Sequence, residues 1–430
     1  MSKQGDGKLR LWPVVAIGIG GMVGGGIFAV LGLAVQMAHG GTPLAFALAG
    51  VVALLTAYSY TKLSVAFPSR GGTVTFLDRA FGPGLFTGTM NVLLWLSYVV
   101  MLSLYALAFG SYGATFLPRA WQPLGKHVLI TLGVALLTGL NLLSAEWIGK
   151  AESWIVGLKV AILLLFVGAG LASIQVGRIA PTSWSPPLQL VAGGMIIFLA
   201  YEGFELIANT AQDVRDVVRT LPRAYYISVG FVIVLYVLVS LVTVGNLPVA
   251  RIVAAKDYAL AEAARPFLGQ IGFALIAAAA MLSTASAINA TLYGASRLSY
   301  TIATDGELPR VLERKVWGQP AGGLLITAAL TVIVANAFAL TSISTLGSAG
   351  FLLIFAAVNA ANLRCAAVTA GKRWLSASGI VACLAALAAL IWQTARSAPA
   401  KLWVLAAMLG LALLIEGGYR LAGRKLRLRD

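Results

Sequence analysis

Residues 17–28 read IGIGGMVGGGIF, and six of these twelve residues are glycine. The stretch lies inside an apolar run long enough for a membrane-spanning helix, which needs about 20 predominantly apolar residues. Each glycine inside a helix is less favourable than alanine by about 1 kcal/mol. The chain therefore weakens its own first helix at one place, and we predict that this helix is interrupted at Gly18–Gly26.

The composition of the whole chain is that of a membrane protein. Of its 430 residues, 59% are hydrophobic and 11% are charged, whereas soluble domains carry about 25% charged residues. We predict one all-α polytopic membrane domain, with no soluble domain large enough to fold alone and no removable signal peptide. The two cysteines, Cys365 and Cys383, lie in or beside apolar runs and indicate no disulfide framework.

The apolar runs predict twelve spans, at residues 12–37, 42–67, 84–116, 126–145, 150–175, 188–211, 223–246, 269–303, 321–338, 342–364, 374–394 and 400–420. They form one membrane domain, 12–420, which divides into 12–175, 188–364 and 374–420. Residues 1–11 are then a short N-terminal segment, and residues 421–430 form a basic tail.

The formal net charge of +16 is explained by topology. Lysine and arginine concentrate on the side of the membrane that holds the N terminus, for example at Arg70, Arg79, Arg215 and Arg223, and in the tail. Cytoplasmic loops of membrane proteins collect these residues. We predict a multi-pass protein of the plasma membrane (the inner membrane of a bacterium) with both termini in the cytoplasm. The partner of its basic surface is then the lipid bilayer and not a nucleic acid.

A second irregularity lies in the sixth predicted span, where residues 196–214 read IIFLAYEGFELIANTAQDV. Glu202, Gly203 and Glu205 stand in the middle of an apolar run. A carboxyl group at the centre of a membrane costs at least about 2.5 kcal/mol on insertion scales, and such residues usually face a cavity or a partner. We predict a second interrupted helix here.

The first and sixth spans are each the opening helix of a set of five, so the two interruptions predict an inverted repeat of spans 1–5 and 6–10. Transporters of this kind bind substrate where two broken helices meet. Free N–H groups at the start of a half-helix attract an anion. The alternative is that the glycines serve helix packing alone.

Three segments resemble amino acid permeases of the amino acid–polyamine–organocation superfamily. They are IGIGGMVGGGIF in the first span, YEGFELIANTAQDVRDVVRTLPRA at 201–224, and SRLSYTIATDGELPR at 296–310. The resemblance implies a LeuT-type fold, a 5+5 inverted repeat with two additional C-terminal helices, which makes twelve transmembrane spans.

The resemblance also implies roles at the matching positions. The N–H groups of Gly24, Gly25 and Gly26 would hold the carboxylate of an amino acid substrate. Its ammonium would be bound by the main-chain carbonyls of Met22, Leu199 and Glu202. Tyr201 would close over the substrate, and Asn91, Trp95 and Tyr98 are candidates for the side-chain pocket. Glu205 matches a position where some relatives carry a functional acid, and it is otherwise a buried structural acid.

Lys159 lies deep in the fifth predicted span, within ESWIVGLKVAILLLFVGAGL at 152–171. A lysine near a helix end can snorkel to the interface, but this one is too far in. The resemblance implies that its ammonium replaces a bound sodium ion and bridges the carbonyl of Gly20 to the hydroxyls of Ser283 or Thr284. Loss of its proton would then release the helices and couple transport to protons. The alternative is a constant cation that only fastens the helices together.

Residues 249–269, VARIVAAKDYALAEAARPFLG, are too polar to span and predict an amphipathic helix on the outer surface, either a lid or an ordinary loop helix. The sequence as a whole favours a secondary transporter that imports a neutral amino acid with protons as the coupling ion. An obligate amino acid exchanger is the alternative, and a non-transporting amino acid sensor is less favoured. We expect no enzyme activity, no metal and no cofactor, and the oligomeric state stays open.

Overall fold

The computed structural model of the chain describes residues 9–143, 146–305, 312 and 321–421. Within these ranges the chain is helical and forms no β-strand, and two isolated bridges join Leu9 to Val214 and His39 to Trp184. Residues 1–8 of the predicted N-terminal segment and 422–430 of the predicted tail lie outside the described residues.

The α-helices of the described ranges are, in chain order, α1 Leu11–Met22, α2 Gly26–Ala38, α3 Thr42–Ala66, α4 Thr73–Phe81, α5 Leu85–Ala114, α6 Gln122–Leu143, α7 Glu146–Leu171, α8 Val176–Ile179, α9 Pro187–Ile196, α10 Val217–Asn246, α11 Val249–Ala254, α12 Ala259–Asp305, α13 Ala321–Ala337, α14 Leu340–Arg364, α15 Ala366–Thr369, α16 Arg373–Ser397 and α17 Ala400–Leu421. Short 3-10 helices lie at Arg119–Trp121, Pro181–Ser183, Phe198–Tyr201, Phe204–Asp213 and Lys256–Tyr258.

Helices long and apolar enough to cross a membrane dominate the described part of the chain. Nine single helices meet that condition, and two bent pairs raise the number to eleven. The ninth predicted span, 321–338, corresponds to α13, which has 17 residues and is shorter than the nine single helices that meet the condition. The helices are those of a multi-pass membrane protein, whereas the number twelve stays a prediction.

The bundle is arranged around α5. This helix is enclosed by its neighbours along almost its whole length and packs against α6, α12, α13, α14 and α17. By contrast, α17 lies at the periphery, where Trp403 and Leu414 are 79% and 75% exposed. Apolar side chains on an outer surface are the expected pattern for a protein whose solvent is lipid.

Both predicted interruptions are present in the structure. The axes of α1 and α2 are bent by 44° at Val23–Gly25, and α9 is bent by 47° against the segment Phe198–Asp213. The first break is shorter than predicted, because Gly18, Gly20 and Gly21 are helical.

The second break begins earlier than predicted, at Ile197, and continues as two 3-10 stretches separated by Glu202 and Gly203. Runs of 3-10 helix longer than three or four residues are uncommon and often mark a hinge. The ten residues of Phe204–Asp213 are therefore an unusual way to finish a helix.

The predicted outer helix at 249–269 is not a single amphipathic helix. It consists of α11, the 3-10 turn Lys256–Tyr258, and the first residues of α12, which continue to a bend at Gly269 with φ 63°. The turn lies directly against α2, because a Cβ on Gly32 would be 2.9 Å from the Cα of Lys256. Lys126 and Asp257 form an ion pair of 2.6 Å that ties the turn to α6.

Candidate functional site

The break in the first helix frees a series of main-chain carbonyls, and side chains from three other helices bind them. The carbonyl of Gly20 accepts a hydrogen bond from Lys159 Nζ at 3.0 Å. That of Met22 accepts from the Tyr236 hydroxyl at 2.6 Å, and that of Val23 accepts from Ser283 Oγ at 2.8 Å. Since an unpaired buried carbonyl is costly, these three donors stabilise the break.

Of the predicted partners of Lys159, the carbonyl of Gly20 accepts a hydrogen bond from it, and the two hydroxyl groups bind other carbonyls. Lys159 is 1% exposed and reaches the predicted carbonyl of Gly20. Ser283 donates to the carbonyls of Val23 and Gly24. Thr284 donates within its own helix, to the carbonyls of Ala280 at 2.7 Å and Met281 at 3.1 Å. The lysine and the serine therefore bind neighbouring carbonyls of one break.

The two broken helices approach each other at their glycines. A Cβ on Gly21 would lie 2.6 Å from the carbonyl oxygen of Gly203, and a Cβ on Gly26 would lie 2.6 Å from the Cα of Ala200. Real Cβ atoms do not come this close to main-chain atoms, so any larger residue would force the two backbones apart. Helix packing is therefore one function of these glycines, as the alternative interpretation of the sequence expects.

The carbonyls of the second break are bound in the same manner. Tyr236, which binds Met22, also lies 3.2 Å from the carbonyl oxygen of Ala200. Ser344 and Ser348 on α14 donate to the carbonyl of Ile196 at 2.6 and 2.8 Å, and Ser348 accepts the N–H of Leu199 at 3.2 Å. A single hydroxyl of α10 thus bridges both breaks.

A cavity of about 760 Å³ lies where the two breaks meet. Its inner end is lined by Gly20 and Gly21 of α1, Glu202 and Gly203 of the second break, and Tyr98 and Tyr105 of α5. From there it extends along α12 to Arg70 and Asp213. Its volume is within the range of about 300–1,000 Å³ that is usual for small-molecule sites.

The mouth of the cavity carries an exposed ion pair. Arg70 Nη2 lies 2.8 Å from Asp213 Oδ1, with the two side chains 69% and 46% exposed. The hydrogen bond and the charge of Asp213 raise the pKa of Arg70, so the guanidinium stays charged. The main chain beside the pair is bound to the start of the chain, since Leu9 donates to Asp213 and accepts from Arg215. The residue that precedes α1 is therefore hydrogen-bonded to the end of the second break at the mouth of the cavity.

Some of the predicted substrate contacts line the cavity and others do not. Glu202 and Tyr98 line it. The other predicted residues do not line it, namely Met22, Gly24, Gly25, Gly26, Leu199, Tyr201, Asn91 and Trp95. Tyr201 donates to the carbonyl of Phe46 at 2.9 Å, and Trp95 donates to Thr327 at 3.0 Å. The carbonyl of Leu199 accepts the N–H of Glu202 at 3.2 Å.

Tyr105 separates the cavity from the N-terminus of α2. A Cβ on Gly25 would collide with the Tyr105 ring, and one on Gly24 would lie 3.4 Å from its hydroxyl oxygen. The side chain is 2% exposed and lines the cavity, and no hydrogen bond to its hydroxyl is found among the described residues. The Tyr105 ring therefore packs on the start of α2 from the side of the cavity.

Glu202 and Glu205 form a buried pair at the second break, 3% and 1% exposed. Glu205 accepts the N–H of Gly203 at 2.7 Å and the hydroxyl of Tyr98 at 3.3 Å. Glu205 is thus held by the main chain of the break and by α5.

The sequence interpretation missed four residues around the breaks, namely Tyr236, Tyr105, Ser344 and Ser348. Each is a polar residue in a predominantly apolar helix, which is the one signal that could have identified it. The same helices contain further tyrosines, serines and threonines, so that signal alone does not distinguish these four.

Comparison with known proteins gives a consistent result. Residues 9–414 match the model of a family described as amino acid permease. An uncharacterized protein of Methanocaldococcus jannaschii is 40% identical over 352 residues, which is 81% of this chain and 80% of that protein. The inner membrane transport protein YbaT of Escherichia coli is 36% identical over 359 residues, 83% of each chain. L-asparagine permease 1 of Mycobacterium tuberculosis is 27% identical over 354 residues, 75% of this chain and 68% of the permease.

Proposed function

Because the chain belongs to the amino acid permease family, we propose that it is a secondary active transporter that imports a neutral amino acid together with protons. The observation that carries this proposal is the meeting of two helix breaks at one cavity. We propose with it the 5+5 inverted repeat, twelve spans, two cytoplasmic termini and a place in the plasma membrane. In this proposal the protein is not an enzyme and uses no cofactor.

The chemistry of the breaks suits a zwitterion. Carbonyls in the unwound segments accept hydrogen bonds from an ammonium, and the first N–H groups of α2 attract a carboxylate. The carbonyls of Met22, Leu199 and Ala200 already have donors in the structure. A carbonyl oxygen has two lone pairs, so each can still accept a hydrogen bond from a substrate. These contacts involve only the main chain of an amino acid, so they leave the side-chain preference to the rest of the cavity.

Alternating access requires the cavity to open to one side of the membrane and then to the other. Here it extends to Arg70 and Asp213, the end that the charge distribution predicts to be cytoplasmic. We propose that the structure represents an inward-facing conformation. In the conformation that binds substrate, the Tyr105 ring would move off Gly25 and uncover the N–H groups of Gly24–Gly26.

Lys159 is the proposed link to the proton gradient. Its ammonium is buried and donates to the carbonyl of Gly20 beside the break. A charged lysine holds α7 against α1, and a neutral one holds it more weakly, because a hydrogen bond from an ionised donor is roughly twice as strong as a neutral one. The same contact also fits an obligate exchanger in which the lysine stays charged throughout.

A thermal-shift screen of the purified protein against the twenty amino acids tests the binding step. A bound amino acid at 100 times its dissociation constant should stabilise the protein by about 2.7 kcal/mol. If no amino acid raises the melting temperature, the proposed substrate class is wrong.

Uptake into proteoliposomes tests the coupling. The amino acid selected by the screen should accumulate in vesicles with an imposed pH gradient and no internal amino acid. Uptake that occurs only with internal amino acid identifies an exchanger. The Lys159→Ala variant should bind the amino acid but no longer accumulate it, and accumulation by this variant would exclude the lysine as the coupling group.

A further inference from the structure

One arginine that lines the cavity has no part in the proposed function. The described residues that line the cavity include four charged side chains, which are Arg70, Glu202, Asp213 and Arg297. Arg70 and Asp213 form the ion pair at the mouth, and Glu202 lies at the inner end. Within the described ranges, Arg297 takes part in no ion pair and no hydrogen bond. Its positive charge therefore acts on whatever enters the cavity.

The helix α12 places Arg297 between the breaks and the mouth. Ala287 of this helix lies beside the first break, since a Cβ on Gly24 would be 2.9 Å from the Cβ of Ala287. Arg297 follows ten residues later, which at about 1.5 Å per residue is about 15 Å further along the helix axis. We call the stretch of the cavity lined by Asn209, Tyr293 and Arg297 the vestibule. An amino acid that moves between the breaks and the mouth passes through it.

Tyr293 fixes the direction of the Arg297 side chain. The Cζ atom of Arg297 lies 4.2 Å from the centre of the Tyr293 ring. Tyr293 precedes Arg297 by one helical turn, so the side chain is turned back toward the breaks, which is the usual direction of long side chains in helices. Stacking occupies the face of the guanidinium and leaves the N–H groups at its edge available. Such an edge can bind a carboxylate through two parallel hydrogen bonds.

We propose that Arg297 selects amino acids by charge in the vestibule. It binds the carboxylate of an amino acid that passes between the breaks and the mouth, and it repels an amino acid whose side chain is positively charged. The inference rests on the proposed function and narrows its substrate class to amino acids without a cationic side chain. The Arg70–Asp213 pair has no net charge, so Arg297 sets the sign of the vestibule.

An arginine at this end of α12 also fits the predicted charge distribution of the chain, in which basic residues collect on the cytoplasmic side. That role requires only a position near the lipid headgroups. It requires neither a place in the lining of the cavity nor a stack that turns the guanidinium toward the breaks. These two features favour a role inside the cavity.

Competition for uptake into proteoliposomes tests selection by charge. The transported probe is the radiolabelled amino acid that the thermal-shift screen identifies. The competitors are two pairs, arginine with citrulline and lysine with norleucine, in which a cationic and a neutral amino acid have similar shapes. The membrane potential is held at zero, so that it does not favour the cations. The quantity measured is the charge ratio, which is the inhibition constant of the cation divided by that of its neutral partner.

The charge ratio should be above one in the wild type and should fall with the charge at position 297. Arg297→Gln removes the positive charge, and Arg297→Glu reverses it. Each step should lower the ratio by up to about fivefold, the equivalent of about 1 kcal/mol for an exposed charge pair. High salt should lower the ratio of the wild type, because salt screens exposed charges.

Arg373→Gln is the matched control. Arg373 is an exposed arginine at the start of α16, on the same predicted side of the membrane, and it does not line the cavity. Its removal changes the net charge of the protein by the same amount as Arg297→Gln and should leave the charge ratio unchanged.

An equal charge ratio in the wild type and both Arg297 variants would overturn the proposal. Failure of all four competitors against every protein, including Arg297→Glu, would overturn it as well. A purely structural role of Arg297 would lower uptake of the probe and leave the ratio unchanged. If one variant loses uptake of the probe, the ratio in the other variant decides. Absence of amino acid binding by the wild type would instead refute the proposed function, on which this selection depends.

Discussion

Replacing Gly203 by alanine should destabilise the protein severely. Gly203 has φ 115° and ψ −20°, a conformation that side chains disfavour, and strain of this kind costs about 1–3 kcal/mol. A Cβ there would also lie 2.6 Å from the nitrogen of Met22 and 2.8 Å from the carbonyl oxygen of Gly21. Overpacking costs about 1–3 kcal/mol, and main-chain atoms cannot rotate away. The two effects together amount to about 2–6 kcal/mol, a large part of the about 5–15 kcal/mol by which folded proteins are stable.

This loss is measured by thermal unfolding of the purified protein. The signal is the fraction of protein that remains monodisperse. The midpoint for Gly203→Ala should fall by several degrees. Gly168→Ala on α7 is the matched control, since Gly168 is exposed and a Cβ there meets nothing within 4 Å. At such a site alanine should be neutral or stabilising by about 0.4–1 kcal/mol.

A further variant separates the two contributions. Gly21 is helical, so Gly21→Ala adds no strain, but its Cβ would lie 2.6 Å from the carbonyl oxygen of Gly203. Its midpoint should fall between those of the control and Gly203→Ala. If Gly203→Ala melts with the wild type, the close crossing of the two breaks is not part of the stable fold and the reasoning is refuted.

Three other predictions concern the contacts around the breaks. Tyr236→Phe removes the donor to the carbonyls of Met22 and Ala200, and should lower the free energy of unfolding by about 1–3 kcal/mol; an unchanged denaturation curve would contradict this. Ser348→Ala leaves the N–H of Leu199 without its partner. It should lower the free energy of unfolding by about 1–3 kcal/mol in the same assay. A curve like that of the wild type would contradict this and would show that the segment relaxes. Asp213→Asn breaks an exposed ion pair with a partner at the cavity mouth. Since such pairs contribute about 0–1 kcal/mol, its melting temperature should stay near that of the wild type, and a large fall would show that the pair is structural.

Properties that depend on neighbouring residues could be predicted from the sequence. The membrane class follows from composition, because lipid requires apolar surfaces. The two interruptions follow from glycines and carboxyl groups placed in apolar runs, and both are present. The burial of Lys159 follows from its depth in a span, and the structure finds it 1% exposed and bonded to Gly20.

The extents of the breaks were predicted less well, because they depend on packing. Gly18, Gly20 and Gly21 stay helical, since their small size allows a close crossing and does not by itself unwind a helix. The second break begins before Glu202, at Ile197, where serines of α14 bind the freed carbonyl of Ile196. Those serines are about 150 positions away along the chain.

The amino acid sequence by itself determined that this is a membrane protein with two broken helices and a buried lysine, because hydropathy and glycine content act locally. Only the tertiary structure decided that Tyr236 bridges both breaks, that Tyr105 covers the start of α2, and that Glu202 faces the cavity while Glu205 lies behind it. These relations join residues from different helices. They are set by how the helices cross, and the order of residues along one helix does not contain that information.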